Sequence, residues 1–141
     1  MNAPVTLLPK FPLALGIGCD RGTPVSSIAL AVEQALAVCG AAIADVAAVA
    51  SIDLKADEAG LLEFARQHGW TIRFYTAAEL AIVDVANPSE TVRRHTGTPS
   101  VSEAAALLAG AVDKTQLIIE KHRLRGPDGR NATVSIARMT Q

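Results

Sequence analysis

Short apolar runs alternate with segments of helical periodicity along most of the chain, and the last two runs follow each other directly. Short runs bounded by turn residues are typical of buried strands. The predicted strands are Leu13–Cys19, Val46–Ile52, Trp70–Tyr75, Gln116–Lys121 and Ala132–Met139. Strands that alternate with helices form layered sheets, and Gly126-Pro127-Asp128-Gly129 between the last two strands is typical of a hairpin. The order predicts an α/β domain with a mixed sheet and an antiparallel C-terminal hairpin.

Capping residues mark where the predicted helices begin and end. Thr23 is a candidate N-cap with Pro24 at the first helical position, and Gly40 is a stop signal. Asp57 can cap a second helix that ends near Gly69. The remaining predicted helices are Ala77–Leu80, Ser89–His95 and Val101–Ala109, the last closed by Gly110.

Length and charge restrict the class of protein. The 141 residues have the size of one domain, and we expect a flexible leader over residues 1–12 and a single domain over residues 13–141. Lys plus Arg number 13, Asp plus Glu number 14, and only 4% of the residues are aromatic. Nucleic-acid binders need a basic face or a stacking platform, so this composition argues against one. Any basic site must be local.

The apolar segments and the cysteines restrict the setting. No run reaches 18 uninterrupted apolar residues, which argues against a membrane span. The N-terminal segment lacks the features of an export signal, and Cys19 and Cys39 belong to no metal or redox motif, so we expect a cytoplasmic protein with reduced thiols. The histidines His68, His95 and His122 lack metal-ligand spacing, and we assign no metal and no cofactor.

A glycine-rich turn, Gly16–Thr23, joins the first strand to the first helix. Glycines let the backbone approach a ligand, helix N-termini attract anions, and Arg21 adds a bidentate partner for a carboxylate or phosphate. An anion site and a merely tight turn are both open, whereas a dinucleotide loop lacks the second half of a nucleotide-binding fold. The candidate ligand-binding residues of this turn are Gly18, Cys19, Arg21, Gly22 and Thr23.

A polar segment, Ser51–Glu58, follows the second strand. If the strand stays extended, Ser51, Asp53 and Lys55 point the same way, at the strand end where open α/β sheets commonly bind ligands. The alternative is structural, with Asp53 and Lys55 paired on the surface and Asp57 capping the helix. Ser51 and Lys55 are the ligand-binding candidates of this segment.

Two later segments add polar groups. Ser100 and Glu103 satisfy the S-x-x-E pattern of a capping box, and an additional ligand role stays open. The hairpin is basic, and it is either a solvated loop or a clamp for a polycarboxylate or phosphate ligand. Its basic residues are Lys121, His122, Arg123, Arg125 and Arg130. Lys121 and Asn131 are the ligand-binding candidates here.

Four ordered motifs resemble the CobE/CbiG carboxy-terminal domain family of cobalamin biosynthesis, from about Leu13 to Met139. They are G-x-G-C-x-R-G from Gly16, A-S-I-D-x-K-x-D-E-x-G-L from Ala50, S-V-S-E-A-A-A-L from Ser100, and a terminal K-x(n)-N-A-T-V-x-I-A that begins at Lys121 and continues from Asn131. The resemblance implies a three-layer α/β/α domain with a mixed, mostly parallel five-stranded sheet and a C-terminal β-hairpin. Two residues depart from the motifs: Asp20, where a basic or variable residue is expected, and Ser135, where alanine is usual.

The resemblance implies a role in building the corrin ring. Precorrins are flat tetrapyrroles fringed by carboxylates, so a site for one should offer distributed cations and helix N-termini. We expect Arg21, Lys55, Lys121 and the helix starts at Thr23 and Ser100 to line one crevice at the carboxyl edge of the sheet. The crevice would bind a tetrapyrrole intermediate, as an accessory or carrier that hands it between pathway enzymes.

Two other functions stay open. The resemblance also extends to larger proteins that open the lactone of a cobalt-precorrin and release acetaldehyde. On this chain Asp53 or Glu58 would then act as general base for water, and Lys55 would stabilise the oxyanion. The third possibility is an adaptor that binds other enzymes of the pathway.

Overall fold

A computed structural model describes residues 11–85 and 101–140 of the chain. The strands are β1 (Leu13–Cys19), β2 (Val46–Ile52), β3 (Ile72–Tyr75), β4 (Leu117–Arg125) and β5 (Asn131–Arg138). The α-helices are α1 (Val25–Val38), α2 (Ala59–His68), α3 (Ala77–Ala81) and α4 (Val101–Gly110). Single turns of 3-10 helix cover Ile43–Asp45, Asp53–Lys55 and Lys114–Gln116.

β1 is the central strand of a five-stranded sheet with the order β3-β2-β1-β5-β4. β1 pairs in parallel with β2, which pairs in parallel with β3. β5 is antiparallel to both of its neighbours, β1 and β4. Four of these strands therefore run in one direction, and the predicted mixed sheet with its C-terminal hairpin is confirmed. The last residues of those four strands lie at one edge of the sheet, called the carboxyl edge below.

Helices cover both faces of the sheet and complete the predicted three layers. The face that carries Leu15 and Ile17 packs against α1 and α2, and we call it the α1/α2 face. The other face carries Ala14 and Ala50 and packs against α4, so we call it the α4 face. Alanine dominates the packing on the α4 face, and small side chains allow a close approach between the two layers.

α4 approaches β1 so closely that Gly16 has no room for a side chain. A Cβ atom on Gly16 would lie 1.9 Å from the carbonyl oxygen of Ser102 and 2.7 Å from the backbone nitrogen of Ala106. Glycine weakens an isolated strand because it adds entropy to the unfolded chain and buries no side chain. At this position it allows the backbone of a helix to rest on the sheet.

A buried pair of serines joins α4 to the last two strands. The hydroxyl oxygens of Ser102 and Ser135 are 2.8 Å apart, and the Ser135 hydroxyl donates to the carbonyl of Glu120 at 2.5 Å. Ser102 is therefore the donor within the pair. The Glu120 carbonyl lies where the β4–β5 register gains a residue between Ile119 and His122, which is a β-bulge. Ser135, the departure from the family motif, thus donates to a carbonyl that the bulge displaces from the regular ladder.

Two predicted helix caps are wrong. α1 has Pro24 as its N-cap, and the hydroxyl of Thr23 donates instead to a carbonyl of its own turn. α2 has Glu58 as its N-cap without a side-chain capping bond, and Asp57 bonds a guanidinium of another loop. In both cases the polar side chain bonds to a group of a loop instead of the helix start. Local sequence patterns do not predict such bonds.

Most element boundaries follow the sequence pattern. β1 and β2 have the predicted bounds, and Gly69 takes the left-handed conformation that ends α2. β3 is shorter than predicted because the Trp70 amide donates to the Ala65 carbonyl and closes the helix before it. The predicted helix Ser89–His95 lies outside the described residues. None of the described helices combines the length and apolar character needed to cross a bilayer.

Replacing Gly16 by alanine should destabilise the protein strongly. The new methyl group would overlap the α4 backbone, and overpacking of this kind costs about 3 kcal/mol or more when backbone must move. Gly18→Ala is the matched control, because a Cβ atom on Gly18 would meet no atom of the described part of the chain within 4 Å. We expect its free energy of unfolding to stay unchanged or to rise by about 0.5 kcal/mol. Urea denaturation monitored by far-UV circular dichroism measures both, and equal stabilities would contradict the close contact.

Candidate functional site

Three connections meet at the carboxyl edge. They are the β1–α1 turn at residues 20–24, the β2–α2 turn at residues 53–58 and the β4–β5 turn at residues 126–130. The first two follow parallel neighbouring strands, and the third lies beside them because β5 starts at this edge. Arg21 and Lys55 therefore lie at the same edge of the sheet.

A buried carboxylate, Glu58, ties the β1–α1 turn to the β2–α2 turn. The residue is 5% exposed. Its Oε1 accepts a hydrogen bond from the Gly22 amide at 2.7 Å, and its Oε2 lies 3.1 Å from Nη1 of Arg21. Gly22 has φ of +79°, which favours glycine and presents this amide to the carboxylate. The glycine-rich turn thus binds an anion, and that anion is a carboxylate of the same chain.

Arg21 is engaged by partners within the chain, and its side chain is 60% exposed. Its Nη1 donates to the Leu54 carbonyl at 3.1 Å and to Asp57 Oδ1 at 2.9 Å, while Nη2 donates to Asp57 Oδ2 at 3.2 Å. The guanidinium lowers the pKa of the Asp57 carboxyl below its usual range, chiefly by hydrogen bonding. Two carboxylates of the chain already surround Arg21, which holds the β2–α2 turn in place, and the ligand clamp stays a prediction.

Asp20 and Asn131 connect the end of β1 to the start of β5. Asp20 Oδ2 accepts from the Asn131 backbone amide at 2.7 Å and from its Nδ2 at 3.1 Å. Arg130 Nε donates to the Arg21 carbonyl at 2.9 Å, and Arg130 Nη1 pairs with Asp128. Asn131 thus has an internal partner for its amide nitrogen. Sequence reasoning missed the role of Asp20, and the one available signal was its departure from the family motif.

Three other predicted ligand-binding residues are buried. Ser51 is fully buried and its Oγ donates to the Ile17 carbonyl at 2.6 Å, so it fixes β2 against β1. The 3-10 turn after Ile52 also breaks the extended geometry that would have aligned Ser51 with Lys55. Thr23 is 1% exposed, and Glu103 is fully buried in α4. None of the three faces solvent at the carboxyl edge.

A further predicted residue, Lys121, lies within a strand and not in these three turns. Lys121 sits at the bulge of β4, four residues before the strand ends at Arg125, which is about 13 Å along the strand. It therefore lies further from the carboxyl edge than Lys55, and the crevice shared by the two lysines stays a prediction. Ser100 lies outside the described residues.

Four described basic side chains make no hydrogen bond or ion pair within the chain: Lys55, Lys121, Arg123 and Arg125. The other Lys and Arg residues of the described ranges each have a polar or aromatic partner. Lys55 follows β2, and Arg123 and Arg125 end β4, so three of the four lie near the carboxyl edge. The sequence predicts a basic hairpin that includes Arg123, Arg125 and Arg130. The structure adds that Arg130 is paired with Asp128 while the other two have no internal partner.

The Cys19 thiol is half-buried and packs against the core of the α1/α2 face. Burial raises its pKa to about 11, although nearby Lys55 acts in the opposite direction. The group is therefore a neutral thiol at physiological pH, which is the wrong ionisation state for a nucleophile. This placement fits the packing role that its size allows.

Neither a group of metal ligands nor the largest cavity described below lies among these side chains of the described ranges. No group of three His, Cys, Asp or Glu residues within residues 11–85 and 101–140 is arranged to hold a metal ion. A cavity of about 830 Å³ lies at the opposite edge of the sheet, where Leu107, Val112 and Gln116 contribute to its walls. None of the predicted site residues lines that cavity.

Comparisons with known proteins agree on one family. Residues 13–137 match the family described as "Cobalamin synthesis G C-terminus". The chain is 41% identical over 111 residues to Protein CobE of Sinorhizobium sp., covering 77% of this chain and 71% of that protein. A solved structure of CobE, a protein from the cobalamin (vitamin B12) biosynthetic pathway, superposes with a TM-score of 0.76 at 33% identity, covering 95% of this chain and 96% of that one.

A longer relative shares the same domain. The chain is 38% identical over 125 residues to cobalt-precorrin-5A hydrolase of Priestia megaterium, covering 89% of this chain. The match covers 32% of the hydrolase, so this chain spans about a third of that relative's length. Fold and comparisons together define an α/β domain protein of cobalamin biosynthesis. The chain belongs to the CobE/CbiG carboxy-terminal family, as its motifs indicated.

Removing the Glu58 carboxylate should destabilise the fold far more than removing its neighbour Asp57. Glu58→Ala removes the buried carboxylate that accepts from the Gly22 amide and links two turns, at a cost of about 1–2 kcal/mol. Asp57 and Arg21 form an exposed ion pair, which contributes little because water and salt screen it. Urea unfolding of Glu58→Ala and of the control Asp57→Ala measures the difference. Equal losses of stability would contradict the central role of Glu58.

Proposed function

We propose that this protein binds a precorrin-type tetrapyrrole through the carboxylates on the ligand's rim, as an accessory or carrier protein. The observation that carries the proposal is the set of unpaired cations near the carboxyl edge: Lys55, Arg123 and Arg125. In a chain with a formal net charge of −1, cations left without an internal counter-charge are available to an external anion. Several separated cations suit a ligand whose carboxylates are distributed around a ring.

The β2–α2 turn also offers an apolar contact beside one of these cations. Leu54 is 63% exposed and directly precedes Lys55. Arg21 holds the Leu54 carbonyl, so the position of this pair is fixed before a ligand arrives. A leucine next to a lysine suits an amphipathic ligand with an apolar ring face and a charged rim. Prepositioned groups lose less conformational freedom on binding, which favours affinity.

The internal ion pairs favour binding over catalysis. Glu58, one of the two candidate general bases, is buried and already accepts from Gly22. A carboxylate in that position has no path to a bound water without breaking the contacts that hold two loops together. The supported role is therefore to hold a pathway intermediate and pass it to another enzyme of cobalamin biosynthesis.

Titration with hydrogenobyrinic acid, a metal-free corrinoid that retains rim carboxylates, tests the binding proposal. We expect the visible spectrum of the ligand to change on addition of protein, and we expect Lys55→Ala/Arg125→Ala to weaken the affinity about tenfold or more. Arg138→Gln is the matched control, since Arg138 stacks over Phe11 and ends β5 at the opposite edge. No spectral change at high micromolar protein, or equal affinities of wild type and double variant, would refute the proposal.

Lactone hydrolysis is the second candidate, and the exposure of Asp53 is the observation that favours it. Asp53 is exposed two residues before Lys55 and makes no side-chain hydrogen bond or ion pair within the chain. As a general base it would take a proton from water while the water oxygen attacks the lactone carbonyl. Lys55 would stabilise the resulting oxyanion. The similarity to cobalt-precorrin-5A hydrolase adds support, although it covers a third of that protein.

Release of acetaldehyde distinguishes the two candidates. If the protein is a binder, incubation with cobalt-precorrin-5A or its metal-free counterpart should yield no acetaldehyde above a protein-free control. An alcohol dehydrogenase assay coupled to NADH oxidation detects the product. Acetaldehyde formation that is lost in Asp53→Asn would instead establish the hydrolase and assign its base.

A further inference from the structure

Among the residues that the structure describes, none requires a glycine at position 18. Each other glycine in the described ranges either has a positive φ or would bring a Cβ atom within 3.3 Å of another atom. Gly18 has neither constraint, and a Cβ atom placed on it would meet no atom of residues 11–85 or 101–140 within 4 Å. Glycine within a strand costs about 0.5–1 kcal/mol relative to alanine. Glycine in a strand often marks a place where a ligand approaches the backbone closely.

Two polar side chains without internal partners lie in the same row of the sheet as Gly18. Gly18 is paired with Thr133 of β5, and Thr133 is paired with Arg123 of β4. Residues directly opposite each other in antiparallel strands share a face, so all three belong to one face. Thr133 is half-buried, Arg123 is exposed, and neither makes a side-chain hydrogen bond within the chain.

This row lies on the α4 face. Gly16, two residues before Gly18 and thus on the same face, contacts the backbone of α4. Ser135, two residues after Thr133, bonds to Ser102 of the same helix. The row Gly18–Thr133–Arg123 is one step nearer the carboxyl edge than these contacts. It spans about 10 Å across three strands.

We propose that this row is a subsite for one carboxylate-bearing arm of the ligand, an inference that rests on the proposed tetrapyrrole binding. The carboxylate is held by the Arg123 guanidinium and the Thr133 hydroxyl. The methylene groups of the arm, or the ring edge that bears it, lie against the bare backbone of Gly18. The absent side chain makes room for the arm, the hydroxyl donates one hydrogen bond, and the guanidinium supplies the counter-charge.

Three variants test the row by titration with hydrogenobyrinic acid. Gly18→Leu fills the space and should weaken binding at least about tenfold, while Thr133→Val and Arg123→Gln should weaken it about fivefold and about tenfold. The thermal midpoints of the variants should equal or slightly exceed that of the wild type, because Thr133 and Arg123 make no side-chain hydrogen bond and glycine is unfavourable in a strand. Gly18→Ala, which adds one methyl group, gives a smaller loss and replaces Gly18→Leu if leucine disturbs the fold.

The methyl-esterified ligand separates this subsite from binding in general. Hydrogenobyrinic acid with every carboxyl group esterified cannot form ion pairs, so the wild type should bind it more weakly than the free acid. Arg123→Gln should not weaken that remaining affinity further, whereas Gly18→Leu still should. If the wild type binds the free acid and the variants at Gly18, Thr133 and Arg123 bind it equally well, the subsite is refuted and the broader function stands. If the wild type shows no binding, both are refuted.

Discussion

The contact between the backbone of α4 and Gly16 of β1 fixes how closely the helix packs on the centre of the sheet. β1 is the central strand, and α4 is the helix that packs directly on it. Because a Cβ atom on Gly16 would lie 1.9 Å from the Ser102 carbonyl, the helix can reach this depth only over glycine. The same contact sets how far along the strand the helix backbone reaches. Gly18 lies about 6.6 Å further on, beyond the residue that α4 touches, and stays uncovered by the described residues.

Charge at the carboxyl edge is divided between structural and available groups. Glu58, Asp57 and Asp20 all accept hydrogen bonds from groups of the chain. Arg21 forms ion pairs with the first two of these carboxylates. This internal use of charge fixes three loops relative to one another. Lys55, Arg123 and Arg125 have no such partners. A ligand therefore meets cations carried by loops and strands that are already in position, which lowers the ordering cost of binding.

The sequence predicted the layers better than the site, for a physical reason. The bounds of β1 and β2 could be read from continuous apolar runs, because burial on both faces imposes that pattern locally. The partner of Arg21 could not, since Asp57 is 36 residues away and the pair exists only after the sheet forms. Gly16 and Gly18 illustrate the same limit. They belong to one motif, yet one is required by a helix and the other is required by nothing within the described chain.

Exposed cations fit a protein that must release its ligand as well as bind it. A carboxylate held in a buried, fully paired site such as that of Glu58 is costly to remove, because departure would leave an uncompensated charge inside the protein. Arg123 is exposed, and salt and water screen its attraction for a ligand carboxylate. Binding distributed over several such contacts gives recognition through number and spacing, while each contact breaks at low cost. A carrier that passes an intermediate to a second protein needs this combination, and the separation of buried structural pairs from exposed binding groups supplies it.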